Sequence, residues 1–424
     1  MTISRSSLDR AGALKSDRSP RPKTPLRPRH HRGMARRSGS GRQQGRRILR
    51  AVLTRAHGRG SHSRGLRIRL ARLWFVSSDA PSYPWPAGSA TGAGSMPGTD
   101  PVQACAVVMG ELPEFPYLPE LPGRGVGADM VGRTASLLVD LPVETTARGW
   151  KFATHSGRDQ RRAADFLSFD LDAIQQAADG YAGPFKIAVC GPLTLAARIE
   201  LSRSLNPALA DPGALADLTT SLAEGVAAHV LGVRERIPGA TVVVQLDEPE
   251  LPAVLAGRVR TASALNTVPA LDEIAAADTL RSVLAATGAF TAVHCCAAGF
   301  PFLLAKDADA GAVSFDLALL ERREIDAVAE IAEAGLGLLI GAVPTSEGVP
   351  TSEGVAARAA RDTASAVVTL WRHTSLDPQR LADQVVVTPA CGLAGLSPEA
   401  ARAKLAQCRE AGRIAPELME EGAQ

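Results

Sequence analysis

From about residue 85 onward, two patterns alternate along the chain. Short runs that are apolar and β-branched throughout give way to alanine-rich stretches with apolar residues at helical spacing. Unbroken apolarity suits a parallel strand, because both of its side-chain rows then meet a covering layer of protein. Candidate strands are SATGAG (89–94), FKIAVCG (185–191), TVVVQLDE (241–248), FTAVHCCA (290–297), AGAVSFDL (310–317), LGLLIGAV (336–343) and QVVVTPACG (384–392). An eighth is expected between 130 and 150, at SLLVDL. Asp211-Pro212 and Ser397-Pro398 each start a helix with proline in its first turn, and the first carries Leu215, Leu218, Leu222 and Val226 on one face. Strand followed by helix, about eight times over some 340 residues, predicts an α/β fold of the (β/α)₈ TIM-barrel type over residues 85–424. A doubly wound open sheet fits less well, because no G-x-G-x-x-G turn follows the first strand.

Charge separates this body from what precedes it. Residues 1–74 hold 21 Lys and Arg against Asp9 and Asp17, whereas the remainder is acidic by 16 charges, so the overall +3 hides two opposite parts. Residues 1–84, rich in Arg, Pro and Ser, offer little to bury and are expected to be a disordered basic leader. A start site assigned too far upstream would produce such a leader, as would a transit peptide or a nucleic-acid-binding arm. It lacks the apolar core of a secretory signal. No run reaches the ~18 apolar residues of a membrane span. Six cysteines in a chain of 424 residues without a secretory signal fit a reducing cytoplasm and point to metal or catalysis before disulfides. The tandem copy PTSEGVPTSEGV (344–355) is expected to form a polar surface loop at the barrel mouth.

In a barrel of this kind the chemistry sits at the C-terminal ends of the strands. Those ends read Gly94-Ser95-Met96-Pro97, Gly191-Pro192-Leu193-Thr194, Gln245-Leu246-Asp247-Glu248-Pro249, His294-Cys295-Cys296, Ser314-Phe315-Asp316 and Cys391-Gly392. Side chains alternate along a strand, so His294 and Cys296 share the inner face while Cys295 faces the helices. Cys₂His is a known catalytic zinc set that leaves one coordination position open. Cys391 would complete it, with Asp316 as a fourth ligand able to yield to substrate. The alternative for each cysteine is that of a small buried hydrophobe, and this is the reading for Cys105, Cys190 and Cys408.

Taken together, GSMPG, GPLT, QLDEP, H-x-C and the late P-x-CGL resemble the catalytic barrel of cobalamin-independent methionine synthase, over about residues 88–410. More broadly they resemble the superfamily shared with uroporphyrinogen decarboxylase, whose decarboxylase branch lacks the zinc set. The resemblance implies Zn²⁺ on His294, Cys296, Cys391 and the carboxylate position now held by Asp316. It implies homocysteine contacts from Ser95 and Asp247, and Thr194 of the GPLT turn is expected to bind substrate beside them. Asp247 would hold the substrate ammonium, and Glu248 would share or brace that role. An ion pair with a strand-end arginine is the alternative for both acids.

The sequence departs from this family pattern at three places. Asp316 is one methylene shorter than the family's glutamate. Ile340 and Ala342 occupy the positions of an Asp-x-His pair, so the acid for a folate leaving group is missing. Arg124 falls where a second ammonium-binding glutamate is expected, which would favour an anionic substrate. The expectation is therefore a zinc-dependent thiol S-methyltransferase acting on a small-molecule thiol such as homocysteine with a separate methyl donor. A corrinoid- or coenzyme-M-type methyl or alkyltransferase is one alternative, and a non-catalytic zinc- and ligand-binding homologue is another. No membrane or nucleic-acid partner is expected.

Overall fold

The computed structural model describes residues 82–346 and 348–421; the expected leader, up to residue 81, lies outside them. Among the described residues nine strands are formed: β1 (Val143–Thr146), β2 (Gly149–Phe152), β3 (Ala182–Cys190), β4 (Ile199–Glu200), β5 (Gly239–Asp247), β6 (Phe290–Cys295), β7 (Ala312–Asp316), β8 (Gly337–Val343) and β9 (Val385–Pro389). Six of them, in the order β3-β5-β6-β7-β8-β9, make a parallel sheet. Its register sets Cys190 beside Asp247, Asp247 beside His294, and His294 beside Ser314.

Two extended segments close this sheet on itself. Thr91 N–H donates to Val387 O (3.1 Å), Met96 N–H to Glu120 O (2.8 Å) and Leu118 N–H to Lys186 O (2.9 Å). Parallel bridges at Ala90–Val387, Ser95–Glu120 and Tyr117–Lys186 carry the ring from β9 through residues 89–96 and 116–120 to β3. The second barrel position is therefore FPYLPEL (115–121), not SLLVDL. Pro116 and Pro119 remove ladder donors and interrupt the strand pattern, which hides this segment from a reading of periodicity. Residues 130–135 are helical, and the chain beyond them turns outside the barrel into the β1–β2 hairpin, with β4 parallel to β2.

Helices cover the outer face. Helix Pro212–Arg236 starts where expected, with the Asp211 carboxylate accepting the N–H groups of Gly213 and Ala214, and it buries Leu218, Leu222 and Val226. The last helix, Pro398–Glu421, presents Ala401, Leu405 and Cys408 to the core. The tandem copy is not loop throughout, since a helix begins at Glu353 within the second repeat, capped by Ser352. At the N-terminal end the barrel is plugged by Trp85, Phe115, Val243, Ala292, Ala312, Leu339 and Val386, with Trp85 stacked on Phe115 at 5.6 Å. That plug leaves the opposite end for chemistry.

Candidate metal and substrate site

A cavity of about 310 Å³ opens at the C-terminal ends of the strands, lined by Ser95, Glu120, Met130, Asp247, His294, Cys296 and Cys391 among others. A larger open groove of about 730 Å³, beside Arg234 and Arg281, runs past Thr241 and Thr291 at the other end and holds none of these groups.

His294, Cys296 and Cys391 each offer a ligand atom, and these atoms lie within 4.8 Å of one another. The two Sγ atoms stand 3.3 Å apart. Both thiols are half-buried: the thiol of Cys296 and His294 draw Cys391 down, while its bond to Cys391 pushes Cys296 up. His294 Nδ1 meets Ser314 Oγ at 2.9 Å, which fixes the ring and leaves its other nitrogen for the cluster. Bonds of about 2.3 Å to sulfur and 2.0–2.1 Å to nitrogen fit three donors gathered this closely, with a fourth position free. Cys295 is buried on the outer face, as strand alternation requires.

The other expected residues divide. Ser95 and Asp247 line the cavity. Ser95 comes close only because residue 392 is glycine: a Cβ there would lie 2.1 Å from Ser95 Oγ. Asp316 does not join the His–Cys group; its carboxylate accepts the Ala318 N–H at 2.9 Å and caps the turn after β7. Glu248 is fully buried and away from the cavity lining, accepting the N–H groups of Leu193 (2.9 Å) and Thr194 (2.7 Å) and the Thr194 hydroxyl (2.6 Å). Thr194 and Glu248 thus brace the turn after β3 against the end of β5, at a Gly191 whose Cβ would meet Glu248 Oε1 at 2.2 Å. Arg124 is likewise outside the lining, paired with Asp170 through two contacts of 2.8 Å and packed on the Phe166 ring. Arg133 also pairs with Asp170.

Glu120 was not among the residues expected from sequence. It lines the cavity at 4% exposure, its Oε1 has no hydrogen-bond partner, and Arg133 Nε stands 3.9 Å from that oxygen. Burial raises its pKa from 4.5 to about 7. A glutamate set between prolines in an apolar segment is a signal of sorts, but only the closure of the barrel gives it a direction. Asp247 is also raised, again mainly by burial. The cavity therefore sets two carboxylates beside a His–Cys₂ cluster.

Residues 208–413 match the family model of the cobalamin-independent synthase catalytic domain. That span contains Asp247, His294, Cys296 and Cys391, but not Ser95 or Glu120. No curated protein matches the chain. Among solved structures, a B12-independent methionine synthase from Shewanella sp. W3-18-1, in complex with selenomethionine, has the same fold at a TM-score of 0.53 and 12% identity, covering 80% of this chain and 100% of that one. The shared fold is that of a TIM barrel. The matched span, residues 208–413, covers just under half of the 424-residue chain. Among the described residues, no helix is long and apolar enough to cross a membrane.

Proposed function

We propose that the protein is a zinc-dependent thiol S-methyltransferase whose acceptor is homocysteine or a close amino-acid thiol. The observation that carries this reading is the convergence of His294, Cys296 and Cys391 in a cavity that Glu120 and Asp247 also line. Zinc held by the three side chains would act as a Lewis acid on a thiol taking the fourth position. Asp247 and Glu120 supply negative charge for an ammonium group, and Ser95 supplies a hydroxyl for the substrate carboxylate. Because Arg124 is occupied by Asp170, it gives no reason to favour an anionic substrate over an amino acid. The small cavity holds the thiol and its reacting methyl, and orientation across it supports the transfer. A second reading concerns the donor. β8 ends in Ile340, Gly341, Ala342 and Val343, which carry no proton to give, and this favours a donor whose leaving group takes none, such as a corrinoid-bound methyl. The test is zinc stoichiometry on tag-free protein, followed by thiol titration of a cobalt-substituted sample. About one metal per chain and a spectral shift with homocysteine support the reading. Protein that folds without metal and binds no thiol overturns it.

A further inference from the structure

Lys186 and Gln245 sit beneath Asp247 inside the barrel, and neither lines the cavity. Lys186 is fully buried, and its Nζ donates to Gln245 Oε1 at 2.7 Å and to Ala93 O at 3.0 Å, both neutral acceptors. Gln245 Nε2 donates to Ala93 O at 2.9 Å and to Asp247 Oδ1 at 2.7 Å. Tyr117 covers the ammonium from one side, its ring centroid 5.5 Å from Nζ.

These contacts leave the amide one orientation. An ammonium can only donate, so the amide oxygen must face Lys186. A carbonyl and a carboxylate can only accept, so the NH₂ must face Ala93 and Asp247. With the amide turned over, two acceptors would meet and a donor would face a donor. Burying an ammonium without a carboxylate in direct contact is costly, and burial lowers the Lys186 pKa from 10.5 to about 8. In exchange the lysine fixes which end of Gln245 meets Asp247.

We propose that Lys186 and Gln245 are positioning residues that pin Oδ1 of Asp247, so that its second oxygen is aimed into the cavity at the ammonium of the substrate. This rests on the reading of Asp247 as the ammonium partner given above. Q245E keeps the side-chain shape and the acceptor for Lys186. It places an oxygen where the donor to Asp247 stood, so the two carboxyl groups must share a proton or part. K186M removes the ammonium at similar length and frees the amide to turn.

The experiment compares two thiols on zinc-loaded protein by calorimetry: homocysteine, and 4-mercaptobutyrate, which lacks the amino group. In Q245E and in K186M, homocysteine binding should weaken by about tenfold or more, the scale of one charge-assisted hydrogen bond, while 4-mercaptobutyrate stays within about twofold. Equal loss for both thiols would reveal a merely structural role and overturn the proposal, as would unchanged homocysteine binding. If Q245E does not retain zinc, K186M carries the same comparison. Wild-type protein that binds zinc but neither thiol would overturn the functional reading itself and this inference with it. A wild type that binds both thiols while the variants discriminate against neither would sink only the inference.

Discussion

The sulfur atoms of Cys296 and Cys391 lie 3.3 Å apart, although 95 residues separate them in the chain. Cys296 follows the end of β6 and Cys391 follows the end of β9, so only a closed barrel brings the two rims together. His294 completes the group from the same inward face as Cys296. Replacing any of the three should cost the metal. H294A and C391A are expected to hold far less than one zinc per chain by elemental analysis and to lose transfer. Zinc at about 100 times its Kd should stabilise the wild type by about 2.7 kcal/mol and these variants by much less, read as a smaller rise in Tm.

Ser314 tests the tautomer. Its hydroxyl is the described partner of His294 Nδ1. S314A should keep the fold and weaken zinc by about 10–100-fold, measured by competition with a chromogenic chelator. An unchanged affinity would show that the ring needs no such support.

Glu120 gives a pH dependence with a definite sign. Its pKa is raised to about 7, so it is neutral below that pH and charged above it. Homocysteine affinity should therefore rise as pH increases through about 7, and E120Q should flatten that step. The stability effect runs the other way. Between about 4.5 and 7 the native protein keeps a proton that the unfolded chain has released, so this contribution is full below 4.5 and is lost as pH rises through about 7. The Tm of E120Q relative to wild type should accordingly increase across that window.

Arg124 and Asp170 belong to stability. Asp170 is 1% exposed at its side chain and sits between the guanidinium groups of Arg124 and Arg133. D170N strands two buried cations and should cost about 3–5 kcal/mol, measured by chemical denaturation. R124A should leave homocysteine affinity within about twofold, since effects at separated sites are close to independent.

Glu248 should behave in the same way. It accepts two backbone N–H groups at the start of helix Pro192–Arg198. E248Q turns an NH₂ toward one of those donors and should lower stability by about 1–3 kcal/mol for each N–H left unpaired. Zinc content should be unchanged.

Much of this molecule is written locally. The apolar runs of β3 and β5–β9, the Asp-Pro and Ser-Pro helix starts, and the inward pairing of His294 with Cys296 follow from strand alternation and capping, which depend on neighbours in the sequence. The gathering of His294, Cys296 and Cys391 was legible for the same reason, since residues at strand ends must meet at one rim once a barrel closes. Direction was not legible. Whether Asp316 turns to the metal side or to its own next turn, whether Glu248 meets the cavity or the Thr194 backbone, and whether Arg124 faces substrate or Asp170 each depend on partners distant in the chain. Tertiary structure decided these, together with the proline-broken segment that puts Glu120 on the cavity wall. A side chain's address is set by its strand, whereas its partner is set by whichever group burial leaves unsatisfied across the barrel.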